Sequence, residues 1–481
     1  MAGGEETATA AEAEMDLEFS RGADVPSFEF AFNSKKFSDK VLQIEVVAGD
    51  DGGGPLPDSV RHRKEQATQN LTVKSLHVNS AILAARSPFF LKLFSNGMKE
   101  SDQTHPRIRI ANSEENALME LLSYMYSGKL TITEPTLVLD ILMAADKFEV
   151  ISCMRRCSQL LTSLPMTTES ALLYIDHPCS TSMAAEVQHV IGVAKEFLAN
   201  KYKDFNKFTC ELMNISLAGI EAIFSSTDLH VRVENDVYYF MLEWARARYL
   251  ELEERRKILS CRLFPLIRFS HMTCTTLQKI LACTDNDIDH EQVTKHIAEV
   301  LLHKAYPKQM EGALAADVAQ FAERAYEYKP VKLVAFDRPC PQVIVYLDLT
   351  RQECSRLFTC KGICSQFFRL AGRDFLLMAS CDMDEQSNSY NFGLWLGVKS
   401  VKGSTCLTVD YEFAARTRSS GNFVIKLKEK TTVTSDWMAA GREDIFGVPW
   451  STFIADDNLF IEDVLHLRAD LSVPQQPELH H

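Results

Sequence analysis

The sequence predicts a multidomain α+β protein: an N-terminal domain of mixed strand and helix, an all-helical middle, and an all-β C-terminal sandwich. Three observations carry this. With 481 residues the chain is too long for one core, since domains run to about 150 residues. From 184 to about 328 the apolar spacing is helical, with Val187, Val190, Ile191, Ala194, Phe197 and Leu198 on one face and Val293, Ile297, Val300 and Leu301 on another. Beyond that, apolar or alternating runs at 343–349, 367–380, 391–398 and 407–415 are separated by Gly, Asn and Ser turns, the pattern of an antiparallel sandwich.

In chain order, 37–47 (FSDKVLQIEVV) and 71–78 (LTVKSLHV) read as strands around a polar, Gly- and Pro-rich insertion at 48–70. The stretch LHVNSAILAARSPFFLKLF then holds two short helices back to back. Asn79 or Ser80 caps the first, Ser87 caps the second, and Pro88 takes the first helical position, where its missing N–H costs nothing. Gly97 stops the second helix and RIRI at 107–110 is a short strand. A helix capped by Asn112 or Ser113 follows, with Leu118, Leu121, Leu122 and Met125 on one face and Gly128 at its end. LTIT at 130–133 reads as a brief strand, and Thr133 and Pro135 open another helix.

The charged fraction of 24% and apolar fraction of 46% are those of a folded soluble chain. No run of about 18 uncharged apolar residues is present, so no membrane span is expected. The acidic N-terminus (1–25) has neither a basic nor an apolar leader segment and is expected to be a disordered tail rather than a signal peptide. A net charge of -14 argues against a general nucleic-acid binder, because phosphate affinity comes from clustered cations. Thirteen scattered Cys fit a reducing compartment.

Four separated blocks, FSD at 37–39, AILAARSPFF at 81–90, LMELLSYMYSGKL at 118–130 and LMAADKFEV at 142–150, resemble the BTB/POZ domain in order and spacing. In many members a His and a basic residue stand where this chain has Asn79 and Ser80, and Asp39 would face the basic residue; the change speaks against the charged pocket of BTB repressors. The helical blocks AKEFLANKYKDF, LAGIEAIFSSTDLHV and ENDVYYFMLEWA resemble a BACK domain. The ending FGVPWSTFIADDNLFIEDVLHLRADLSV resembles the closing block of a MATH (TRAF-like) domain. Nearly the whole chain, through NGMKESDQ, SCMRRCSQLL, RAYEYKPVK and VDYEFAARTR, resembles the plant light-response BTB proteins. The expected division is a tail at 1–25, a BTB domain at 26–160, a BACK domain at 161–328 and a MATH-like sandwich at 329–475.

No enzyme constellation stands out: GxxxxGK[ST], GxGxxG, HExxH and GxSxG are all missing, and no cofactor is expected. Cys340, Cys354, Cys360 and Cys364 carry the thiols a zinc site would need, but only the 360/364 pair is close, so free or structural cysteines are favoured and no metal is assigned. The pair Cys153 and Cys157, one helical turn apart, is read the same way. The resemblance points instead to Met98-Lys99-Glu100, where BTB adaptors carry a hydrophobic-x-Glu motif that docks cullin-3. Met98 would fill a pocket and Glu100 would make a charge-assisted bond at its rim. Tyr126 would border the same surface, with a place at the edge of the core as the equal alternative. Trp450, Phe446 and Phe453 are expected in the core of the sandwich, with a peptide groove as the alternative.

What the resemblance implies is a non-catalytic substrate-recognition adaptor of a cullin-3 ubiquitin ligase. It would be homodimeric through its BTB domain and hold its substrate through the C-terminal domain. A nuclear location, with some protein in the cytoplasm, and a role in phytochrome-linked light signalling follow from the same resemblance. Arg61-His62-Arg63-Lys64 is all that remains of the basic run seen in such relatives. The rival is a BTB scaffold or transcriptional co-regulator without a ligase role.

Overall fold

Alternation places Leu42, Ile44 and Val46 on the buried side of Lys40–Val47 (β1). That strand is the centre of a three-stranded sheet. Leu71–Val78 (β2) pairs with it antiparallel over its whole length, and Arg107–Ala111 (β3) pairs parallel on the other side. The computed structural model describes residues 27–47, 71–95, 104–305, 322–360, 362–384, 389–399, 406–433 and 437–474. The acidic tail, the insertion at 48–70 and Gly97 lie outside these residues.

The two short helices are Ser80–Ala84 (α1) and Pro88–Ser95 (α2). The Asn79 side chain accepts from the Ile82 N–H at 3.2 Å, and Ser87 Oγ accepts from Phe90 N at 3.1 Å while donating to Phe148 O at 2.6 Å. Phe90 is fully buried against Phe148, with ring centroids 5.9 Å apart. Glu115–Ser127 (α3) starts from a 3-10 turn, Asn112–Glu114, rather than from a side-chain cap at Asn112 or Ser113. Gly128 ends it at φ +68°, a conformation that suits glycine. Pro135–Lys147 (α4) is capped by Glu134, which accepts from Thr136 and Leu137, and not by Thr133. Ile151–Ser163 (α5) completes the set. Residues 130–133 form no strand and enter none of the sheets of the described residues.

The chain divides into two compact units, one of residues 1–201 with 214–223, the other of 202–213 with 224–481. The first adds the helices Thr168–Asp176 and Ala185–Lys201 to the elements above. The second opens with helices including Glu234–Arg248, Cys274–Leu281 and His290–Ala305; on the first of these Phe240 packs against Phe205 and Phe224, with ring centroids 5.4 Å away in each case, and Trp244 is fully buried. Helix does not continue to 328 as the apolar spacing implied. His230–Val231 (β4) pairs parallel with Ala325–Tyr326 (β5), and Tyr328–Lys329 (β6) pairs parallel with a strand of the sandwich.

That sandwich is two six-stranded sheets. One runs Trp437–Arg442 (β15), Ser389–Lys399 (β12), Arg373–Asp384 (β11), Ile363–Ser365 (β9) and β6, with Phe368–Leu370 (β10) also on β11. The other runs Phe423–Val433 (β14), Leu407–Arg416 (β13), Val464–Ser472 (β17), Gln342–Thr350 (β8) and Lys332–Phe336 (β7), with Phe460–Ile461 (β16) on β17. The single strand expected over 367–380 is a tight hairpin instead. Leu370 pairs with Arg373 across Ala371 and Gly372, both at positive φ (48° and 79°), the two-residue loop that matches strand twist.

Phe453 sits in the sandwich core, fully buried, 4.7 Å from Phe392, 5.1 Å from Phe446 and 5.4 Å from both Trp450 and Phe460. These aromatics pack on the core rather than line a groove. Phe453→Ala is therefore expected to lower the unfolding free energy of the second unit by about 3–5 kcal/mol, read from denaturant titration with near-UV circular dichroism. A loss of less than about 1 kcal/mol would mean that the site collapses freely and that the cluster is peripheral.

Candidate functional site

The segment with Met98-Lys99-Glu100 lies outside the described residues, which stop at Ser95 and resume at Thr104. Thr104 O accepts from Val41 N at 2.9 Å, and Pro106 O accepts from Gln43 N at 2.8 Å. The central strand thus anchors the chain just after that segment. Tyr126, on α3, is fully buried. Its ring meets Phe32 at 5.5 Å and its hydroxyl accepts from Asn79 N at 2.8 Å, so burial pushes its pKa up even though that hydrogen bond acts the other way. This corrects the expectation that Tyr126 borders a partner surface: the N-terminal segment covers its ring and α1 uses its hydroxyl. Its place is under the α1–α2 hairpin.

Asp39 faces Ser80 rather than a basic side chain. Its carboxylate accepts from Ser80 N at 2.7 Å and from Ser80 Oγ, while Asn79 Nδ2 donates to Phe37 O at 3.0 Å. Partial burial works against ionisation, but the two hydrogen bonds from Ser80 outweigh it and hold the Asp39 pKa below its ordinary value. The carboxylate is spent on starting α1, where a negative charge also suits the helix N-terminus. No open charged pocket is left at this place.

Cys153 and Cys157 are fully buried with sulfurs 4.0 Å apart, and burial drives the Cys153 thiol well above its usual pKa, the reverse of a reactive thiolate. Cys354 is likewise buried, its thiol pushed up to about 12 by burial and by Glu353. Cys364 is half-buried and Cys360 exposed. Among the described residues no three His, Cys, Asp or Glu side chains are grouped to hold a metal ion.

The sandwich offers a surface that the sequence reading missed. Phe358 (53% exposed) lies 4.5 Å from the ring of Tyr390 (39%), and Met383 (49%) is the cross-strand partner of Tyr390 at the end of the β11–β12 ribbon. Three large apolar side chains standing together in solvent form an exposed patch, a feature that marks interaction surfaces when it is contiguous. Strand periodicity alone could not reveal it, because Phe358 arrives from the turn after the helix Arg351–Arg356.

The Asp39 geometry has a pH signature. With its folded pKa depressed, Asp39 stabilises the first unit above the ordinary carboxylate range, and that contribution fades as pH falls through the depressed value. NMR titration of the full chain should place Asp39 below 3.8, and Ser80→Ala should move it upward. An unmoved midpoint would show that the hydroxyl is not what holds the charge.

Comparison with known proteins agrees with the N-terminal fold. The BTB/POZ domain family matches residues 60–164, from within the insertion to the end of α5. A BTB/POZ domain-containing protein of Arabidopsis thaliana is 43% identical over 97% of this chain and 98% of its own length, and a second from the same plant is 39% identical over 95% of this chain and all of its own. Kelch-like protein 17 of Mus musculus is 27% identical over 41% of this chain and 30% of its own length. Likeness to the two plant proteins runs essentially end to end, through the helices and the sandwich as well. The chain belongs to the family of BTB/POZ domain-containing proteins.

Proposed function

We propose that this chain is a substrate-recognition adaptor of a cullin-3 ubiquitin ligase, with the segment at Met98 and Glu100 as its docking point. The observation that carries the reading is the pairing of a BTB/POZ domain with a β-sandwich that bears an exposed aromatic patch. Partial similarity to a Kelch-like protein supports it. The helices after α5 are read as a BACK domain and the sandwich as MATH-like. Phe358, Met383 and Tyr390 are the side chains assigned to the substrate surface.

The adaptor does no bond chemistry in this account. It raises the rate by holding a protein substrate near the charged conjugating enzyme, so that a bimolecular encounter becomes an effectively intramolecular one. A homodimer would add avidity. In its favour, residues 130–133 have the composition of a strand yet pair with none among the described residues, so a second copy could supply the neighbour. A nuclear location and a part in phytochrome-linked light signalling belong to the same proposal and rest on resemblance to the plant light-response BTB proteins.

Two substitutions test the docking point. In the full chain, Met98→Ala with Glu100→Ala should weaken binding to the cullin-3 N-terminal domain by at least about 2 kcal/mol, the size expected of a buried anchor and its rim partner. Far-UV circular dichroism of the double variant checks that it stays folded, so that a loss of binding is read as a loss of contacts. Wild-type affinity in the folded double variant would place the docking surface elsewhere, and Phe358→Ser should leave cullin binding intact.

A further inference from the structure

We propose that residues 323–329 are a rigid strut shared by the helices and the sandwich of the second unit. Glu234, Arg324 and Tyr326 then act as positioning residues for the substrate protein that the sandwich carries. The inference rests on the adaptor reading for its purpose but not for its geometry.

The segment is hydrogen-bonded on both sides at once. Toward the helices, β5 pairs with β4, Glu327 N donates to Val231 O at 2.9 Å, and Tyr328 N donates to Arg232 O at 3.0 Å. Toward the sandwich, Tyr328 and Lys329 pair with Cys364 and Ser365, and Gln366 N donates to Lys329 O at 2.8 Å. Tyr328 thus belongs to both ladders. An extended strand spans about 3.3 Å per residue, so these seven residues hold no slack that could serve as a hinge.

Side chains lock each end. Glu234, fully buried on Glu234–Arg248, accepts from Arg268 N at 2.8 Å and from the Tyr326 hydroxyl at 2.7 Å, and Arg324 Nε lies 3.3 Å from its carboxylate with both side chains wholly enclosed. Arg324 also donates to Ser226 O (2.8 Å) and Leu266 O (2.7 Å), and Arg268 donates to Ala322 O (2.9 Å). At the other end, Lys329 Nζ sits between Glu323 (2.9 Å) and Glu353 (2.6 Å), and Gln366 Nε2 donates to His271 O at 2.9 Å.

Swinging the sandwich would pull Arg324 and Tyr326 away from Glu234 and leave a buried carboxylate short of partners, which is strongly unfavourable. The sandwich is thereby held at one position against the helices. For an adaptor this matters because a loose tether spreads bound substrate over many positions and dilutes it at the conjugating enzyme.

Hydrogen exchange and small-angle X-ray scattering on the full chain, without any partner, decide the matter. Glu327 and Tyr328 amides should be protected at least about 100-fold over an unstructured chain. In Tyr326→Phe and Glu234→Gln that protection should fall about tenfold or more while β8 and β17 amides keep theirs, and the scattering should report a wider range of dimensions. The scattering readout separates positioning from mere local stability, and Lys428→Gln is the surface control. The proposal is overturned if the wild-type amides exchange like a free linker, or if folded Tyr326→Phe scatters as wild type does. Loss of β8 and β17 protection in Glu234→Gln would leave the decision with Tyr326→Phe. Failure of cullin-3 binding would end the adaptor reading and leave these results standing.

Discussion

One buried carboxylate organises the second half of the molecule. Glu234 stands fully enclosed at the start of a helix, and the groups that satisfy it come from two separate stretches: Arg268 from the residues before Cys274–Leu281, and Arg324 and Tyr326 from the segment that leads into the sandwich. Burial costs an isolated charge heavily, so these partners must assemble together or not at all. Their low-dielectric surroundings show in their protons. Burial, with the Tyr326–Glu234 hydrogen bond adding to it, keeps the Tyr326 phenol well above its usual range, and burial with the neighbouring Arg324 charge brings the Arg268 guanidinium down to about 10. A hydrophobic substitute would fill the space without dictating which segments meet there.

The two ends of the chain solve opposite problems. In the N-terminal domain the α1–α2 hairpin buries Phe90, and the polar groups around its start satisfy one another: Asp39 on Ser80, Asn79 on Ile82, Tyr126 on Asn79. In the sandwich the core is closed by the cluster around Phe453, while Phe358, Met383 and Tyr390 stay in solvent at no evident structural gain. Groups that do not contribute to folding are the ones available for recognition. The exposed patch on the sandwich is what the proposed adaptor role calls for.

Helical spacing was legible, and cap chemistry was legible in part: Glu134 rather than Thr133 caps α4, and no side chain of Asn112 or Ser113 caps α3. The faces of α3, α4 and Ala185–Lys201 follow the apolar periodicity, and Asn79, Ser87, Pro88 and Gly128 act as the residue types predict. Long-range satisfaction was not. Nothing local says that Glu234 will find Arg324 some 90 residues on, that residues 325–329 are strand after a run of helix, or that Ala371-Gly372 folds 367–380 back on itself. Tyr126 was misplaced for a similar reason. Its neighbours in sequence mark a helix end, whereas its burial is decided by Phe32 from far upstream.

The central claim is that this chain links cullin-3 to a substrate. Its most direct test is calorimetric titration of the purified full chain with the cullin-3 N-terminal domain, backed by light scattering of the mixture. The account predicts saturable binding of one cullin domain per chain at about 10 µM or tighter. No heat and no co-elution at about 100 µM, from protein whose circular dichroism shows it folded, would contradict it and leave a BTB scaffold as the reading to pursue.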